Sequence, residues 1–177
     1  MKVEKQATVE VQAPVDQVFD FAADHENFHR FVGKKGILPG VVGSETIGEG
    51  KYEPGCRRRL TMTDGSEMVE EVVACARPSC FVYRWGSRPK PPFSLLVRGA
   101  EARWTFAATQ GGTRVCWQYA LELTTPLVWP LATLVMVAFG TWMEAALSGL
   151  GKAMQEKEKG QPAPMSAVVS PSAARRG

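Results

Sequence analysis

From Leu123 to Met143 the chain runs 21 residues without a charge. At about 1.5 Å per residue, a helix of that length reaches across the ~30 Å hydrocarbon core of a bilayer. The spacing of its side chains points elsewhere. Ala132, Met136, Phe139, Met143, Leu147, Leu150 and Met154 fall on one helical stripe. That stripe keeps its register past Glu144 and Lys152, where a membrane span would already have ended. The opposite side carries Ala138, Thr141, Ala145, Ser148 and Lys152, small and then polar. Pro126 and Pro130 stand near the start, where a helix tolerates proline best. The pattern predicts a core helix from about Thr125 to Lys157 that covers a sheet. Val128, Leu131, Val135 and Trp142 form a second apolar flank that a sheet does not cover. A homodimer through this flank is the simplest expectation, with peripheral membrane contact the lesser one.

The residues before the helix supply the sheet. In "VEKQATVEV", Val3, Ala7, Val9 and Val11 share one face at period two, a half-buried first strand. "APVDQVFDFAAD" changes to helical spacing, with Pro14 at the first turn and Val15, Val18, Phe19 and Ala22 on one side. Asp24 can cap a second short helix, "HENFHRF". Glycines and prolines from Gly33 to Gly55 mark loops around one short strand near Val41 and Val42. "CRRRLTMTDGSEMVEEVVA" then reads as a hairpin whose Asp64-Gly65 suits a two-residue type I′ turn. "CFVYRWGS" follows, and "RGAEARWTFAATQGGTRVCWQYALEL" makes another hairpin about Gly111-Gly112. These elements predict one globular domain over residues 1–158. Residues 159–177, rich in Pro, Ala and Ser, predict a disordered tail.

Charge and cysteine usage exclude several function classes. A net charge of +3, with Arg57, Arg58 and Arg59 standing alone, gives no broad basic face for nucleic acid. Cys56, Cys75, Cys80 and Cys116 form no C-x-x-C pair and read as free thiols. His25 and His29 lie four apart without a third ligand in sequence, so they read as exposed helical residues rather than a metal site. The N-terminus has no apolar signal-peptide core, which suggests a cytoplasmic setting. There is no phosphate loop or nucleophile elbow, and no cofactor is expected.

The order "VEVQAPVDQVFDFAADHENFHRFV", "RRRLTMTDGSEMVEEVV", "FVYR" and "ARWTFAATQGGTRVCWQYALEL" before a long closing helix resembles the SRPBCC superfamily. That group includes the START, Bet v 1-like and polyketide cyclase/dehydrase-like proteins. The resemblance covers roughly residues 3–157. It implies an α+β helix-grip fold: a curved antiparallel sheet wrapped around the C-terminal helix, enclosing an apolar cavity. Members bind lipids, sterols or polyketides, cyclise or dehydrate polyketide chains, or assist other proteins. This chain departs from the pattern in its closing helix, which often carries arginines where this one carries Leu, Val, Met and Trp.

Strand parity gives an inward set. With a two-residue loop at Asp64-Gly65, Arg58 pairs with Glu71, and the more apolar face holds Leu60, Met62, Val69 and Val73. The Arg58–Glu71 pair is therefore expected inside. The further expected lining is Phe81, Tyr83 and Trp85, then Trp104 and Phe106, then Trp117 and Tyr119, with Met136, Phe139 and Met143 from the helix. Such a wall suits a flat, apolar, partly oxygenated molecule. Arg58 could orient a carbonyl, Glu71 could move a proton, and Tyr83 could hydrogen-bond an enolate. That chemistry fits a cofactor-independent polyketide cyclase or dehydratase. The same residues also fit a non-catalytic carrier or sensor of a lipid-like or aromatic ligand.

Overall fold

The computed structural model describes residues 1–160 of the chain; most of the tail expected to be disordered lies outside the described residues. The chain enters as strand β1 (Lys2–Val11), then helix α1 (Val15–Ala23), a single 3₁₀ turn (His25–Asn27) and the short helix α2 (Phe28–Phe31). Strands β2 (Val41–Ile47), β3 (Arg57–Met62), β4 (Glu67–Ala76), β5 (Cys80–Trp85), β6 (Val97–Thr109) and β7 (Gly112–Leu123) follow. A 3₁₀ turn over Pro126–Val128 leads into helix α3 (Trp129–Gly160). The seven strands form one antiparallel sheet in the order β1-β7-β6-β5-β4-β3-β2. The first strand thus joins the last, and β2 forms the far edge. This is the helix-grip architecture.

Helix α3 packs along β1 and α2 and seats its apolar stripe on the sheet's inner face. Every member of that stripe, from Ala132 to Met154, is buried. Burying each Met, Phe or Leu contributes about 1.5–3 kcal/mol, so the stripe alone holds the helix in place. By length and composition, Pro126–Lys157 is also apolar enough to cross a membrane. The exposed apolar residues lie in its first half: Leu127, Trp129, Leu131, Leu134 and Val137. Trp142, expected on that flank, is instead buried, and its indole N–H donates to the Gly33 carbonyl at 3.0 Å. At 100° per residue it lies only about 60° round the helix from Phe139 of the buried stripe, and the two rings pack with centroids 5.1 Å apart.

Strand β2 is longer than its sequence suggests. Its middle is polar because Ser44 and Thr46 turn their hydroxyls towards His25, 2.8 and 2.9 Å away. A strand whose side chains serve a buried polar group does not show the apolar alternation by which strands are recognised.

The β3–β4 turn sets the register of the site. Gly65 has φ +75°, and among the described residues no non-glycine residue has a positive φ. A type I′ turn needs positive φ at both central positions, so Asp64 cannot take its share of one. The chain forms a three-residue loop instead, Thr63 to Gly65, closed by Met62 N–H to Ser66 O at 2.9 Å. One extra loop residue shifts the pairing: Arg58 faces Glu70, Arg57 faces Glu71, and Arg59 faces Val69. The β6–β7 turn has a different constraint. Gly112 has φ +142°, and a Cβ there would collide with the Val11 carbonyl oxygen.

Candidate functional site

Large side chains on β6 give way to small ones along the inner face. Phe106 and Trp104 are followed by Ala102 and Ala100, all buried. Phe106 meets Phe19 of α1 edge-on at 5.1 Å, and Trp104 meets Phe31 of α2 at 6.5 Å, so that end of the sheet is solidly packed. At the other end Ala102 sits opposite both Tyr83 and Tyr119. Nothing large projects from β6 there, and a cavity of about 620 Å³ remains. Its walls are Met62, Met68, Glu70, Tyr83, Trp85, Trp117 and Tyr119 from the sheet, and Val135, Phe139 and Trp142 from α3. Phe28 and Val32 close one side. The loop segments Ile37–Pro39, Asp64–Glu67 and Pro89–Phe93 form a rim, and the exposure of Ile37, Gly65 and Lys90 shows that it opens to solvent.

Of the residues expected to line a cavity, Tyr83, Trp85, Trp117, Tyr119 and Phe139 stand on its wall. Leu60, Phe81, Trp104, Phe106, Met136 and Met143 are buried in the core but do not reach the wall. Val69 is on the outer face, its side chain near Gly86. Val73 is exposed where the β4–β5 pairing slips between Val72 and Ala74. Glu71 also faces outward, where its carboxylate accepts from Arg84 at 2.7 Å. The one-residue shift of the turn exchanges the two faces of β4 and brings Met68, Glu70 and Val72 inward.

Arg58 is inside, and its partner is Glu70. Nε donates to Glu70 Oε2 at 2.8 Å, and Nη2 stands 2.7 Å from the same oxygen at a poorer angle. Both residues are almost fully buried, 4% and 3% exposed. The guanidinium is sandwiched by aromatic faces, 4.4 Å from the Phe28 centroid and 4.7 Å from that of Tyr83. Those rings supply an electrostatic surface that offsets part of the loss of hydration. Burial raises the Glu70 carboxyl above its ordinary range, opposed by the charge and the hydrogen bond of Arg58. Burial likewise pushes the hydroxyls of Tyr83 and Tyr119 up, with the Glu70 charge adding to it, so both remain protonated donors.

His25 completes the polar cluster, and it is buried rather than exposed on a helix. Its tautomer follows from its neighbours. Ser44 Oγ donates its single proton to the His25 carbonyl at 2.8 Å. It must therefore accept from Nδ1, which leaves Nε2 to accept from Thr46 Oγ. Desolvation, followed by the Arg58 charge, lowers the His25 pKa and keeps the ring neutral. His29 is exposed, and among the described residues no group of His, Cys, Asp or Glu is disposed to hold a metal.

Sequence reasoning missed Glu70, His25 and the rim. The shift to Glu70 follows from the positive-φ requirement at Asp64. The rim residues belong to loops whose course no periodicity encodes.

Comparison with known proteins agrees with this geometry. A family model described as "Polyketide cyclase / dehydrase and lipid transport" matches residues 2–155. No curated protein matches the sequence. Among solved structures, the di-domain ARO/CYC BexL from the BE-7585A biosynthetic pathway superposes with a TM-score of 0.64 at 21% identity. The match covers 87% of this chain but 50% of BexL, so this chain spans about half the length of that protein. TTHA0849 from Thermus thermophilus superposes with a TM-score of 0.66 at 21% identity, covering 88% of this chain and 99% of that one. Ara h 8.0201 gives 0.60 at 12% identity, over 85% and 98% of the two chains. The likeness to these structures establishes the fold, and the family match over most of the length establishes the lineage: the chain belongs to the polyketide cyclase/dehydrase and lipid transport family of the SRPBCC superfamily.

Proposed function

We propose that this protein binds an apolar small molecule in the cavity and acts on it as a cofactor-independent cyclase or dehydratase of the polyketide type. The observation that carries the reading is the Arg58–Glu70 pair on the inner face, with Glu70 on the wall of an otherwise aromatic cavity. A wholly structural ion pair has no need to sit beside open space. Arg58 engages only Oε2, and among the described residues nothing hydrogen-bonds Oε1. A carboxylate held this way can accept a proton from carbon or oxygen of a bound poly-carbonyl chain and return it to a departing hydroxyl. Aldol closure and loss of water conserve atoms and electrons, so shape, one proton acceptor and one donor suffice. Arg58 positions Glu70 and opposes the rise that burial gives its pKa, and Tyr83 is the neighbouring donor. The family match and the ARO/CYC fold of BexL support the same reading.

The test is turnover of a poly-β-ketone thioester by the wild type, Glu70→Gln and Glu71→Gln at matched folded fraction. Glu70→Gln should lose about 100-fold or more in rate, and Glu71→Gln should stay near wild type. If the wild type binds the substrate without product, the protein is a carrier and the catalytic role of Glu70 is withdrawn.

The exposed apolar face of α3 belongs to the same proposal as a self-association surface. It carries no charge, so two copies can align it across a two-fold axis without electrostatic opposition.

A further inference from the structure

The inner wall of the cavity carries a hydrogen-bond donor with no partner in hydrogen-bond geometry, Trp117, and a second such donor, Trp104, lies behind the wall. Trp104 and Trp117 stack across the β6–β7 pair, their ring centroids 4.5 Å apart and their planes 23° from parallel. Each is 1% exposed. Neither indole N–H has a partner among the described residues. Both lie close enough to the Tyr83 oxygen to favour its ionised form, but outside hydrogen-bond geometry.

Two tryptophans of the same wall show the contrast. Trp85 Nε1–H donates to the Tyr119 oxygen at 2.8 Å, and Trp142 Nε1–H donates to the Gly33 carbonyl at 3.0 Å. Buried donors in native proteins are nearly always paired, and a donor left open costs its full desolvation. Trp117 faces the cavity, so its missing partner belongs there.

We infer that the inner end of the cavity is an acceptor site, in which an uncharged carbonyl oxygen of the bound molecule accepts from Trp117 Nε1–H and from the Tyr83 hydroxyl. The wall decides the chemical class. A carboxylate or phosphate there would bury a second anion near Glu70, whose counterion Arg58 is already engaged. A hydrocarbon would leave the donors unmet. Around the site, Trp117, Tyr119, Trp85 and Phe139 present rings, so the carbonyl belongs to a flat conjugated skeleton. Glu70, Tyr83 and Trp117 line the same cavity, so a carbonyl held at Trp117 shares its space with the group assigned to move a proton. The inference rests on the reading that the cavity binds an apolar molecule, and adds where that molecule's oxygen lies and which residue selects it.

Fluorenone and fluorene make the test, because they share one flat tricycle and differ by a carbonyl in place of a methylene. Each is titrated into the isotope-labelled full chain while the indole N–H resonances are followed, with the Trp117 signal assigned by its loss in Trp117→Phe. Both compounds should bind. Fluorenone should bind about tenfold tighter, the worth of one hydrogen bond otherwise left unmade. The Trp117 resonance should move downfield with fluorenone alone. Tyr83→Phe, which keeps the ring and its packing, should narrow the preference for fluorenone over fluorene several-fold. Equal affinities with an unmoved indole signal overturn the acceptor site and leave the cavity reading standing, the donors then being met by water. Binding of neither compound overturns the cavity reading and the acceptor site with it.

Discussion

Removing one member of a buried ion pair leaves the other charged and desolvated, so Arg58 and Glu70 can be separated by stability as well as by rate. Arg58→Met or Glu70→Met alone should lower stability by about 3–5 kcal/mol, and the double replacement should restore much of it, as denaturant midpoints will show. Glu71→Met should change little, because its pair with Arg84 is half-solvated on the outer face. His25 adds a pH dependence. Its folded pKa is lowered by burial and by Arg58, against opposing charges on Asp24 and Glu26 and a supporting one on Lys51. Near neutral pH the ring is uncharged in both the folded and the unfolded states. As pH falls through about 6.5, the unfolded chain takes up a proton that the folded chain resists, and stability drops. Protonated Nε2 would also donate, forcing the Thr46 hydroxyl to turn away from its present role. His25→Gln should flatten this acid limb. An equally steep loss in that variant between about pH 7 and 5 would assign it to other groups.

Elements differ in how firmly their sequence determines them. Helix α3 was legible because a 3.6-residue period leaves one choice of buried face, and all seven stripe residues take it. Strand β4 was not legible in the same way. Met68, Glu70 and Val72 on one face and Val69, Glu71 and Val73 on the other have nearly the same polarity. Hydropathy cannot choose between them, and the turn decides. Asp64-Gly65 suits both a type I′ turn and a longer loop with glycine alone in the left-handed region. The sign of φ at Asp64 is the distinguishing fact, and it is visible only in the structure. The cavity was half legible for a related reason. Period two gives the aromatics that face inward, but the step from Trp104 to Ala102 decides which of them meet open space. Gly65→Ala should therefore cost about 1–2 kcal/mol, since a side chain at φ +75° crowds the following carbonyl. Gly111→Ala has no neighbour within 4 Å and no positive φ to satisfy, and should be nearly neutral. Thermal unfolding of the two variants checks the contrast.

On the scale of the whole molecule, the first half of α3 is left with more apolar surface than a folded chain usually shows. Leu127 is 90% exposed, Leu134 67% and Val137 58%. Scattered leucines need no explanation, but these follow one helix beside Leu131 and Trp129, on a run without charge. A second copy meeting this strip across a two-fold axis would pair leucine with leucine and bury both strips at once. The inner stripe of the same helix would stay where it is, so association and folding are separable. In sedimentation, the wild type should run with the mass of two chains, while Leu131→Glu combined with Leu134→Glu should run as one. Both substitutions fall on residues more than half exposed, so the variant should keep the wild-type unfolding midpoint to within about 0.5 kcal/mol. Trp142→Glu would not serve, because it would place a carboxylate against the cavity wall and break the bond to Gly33. A wild type that sediments as a single chain at every concentration refutes the dimer. Flotation of that monomer with lipid vesicles, lost in the double glutamate variant, would then assign the strip to a membrane surface.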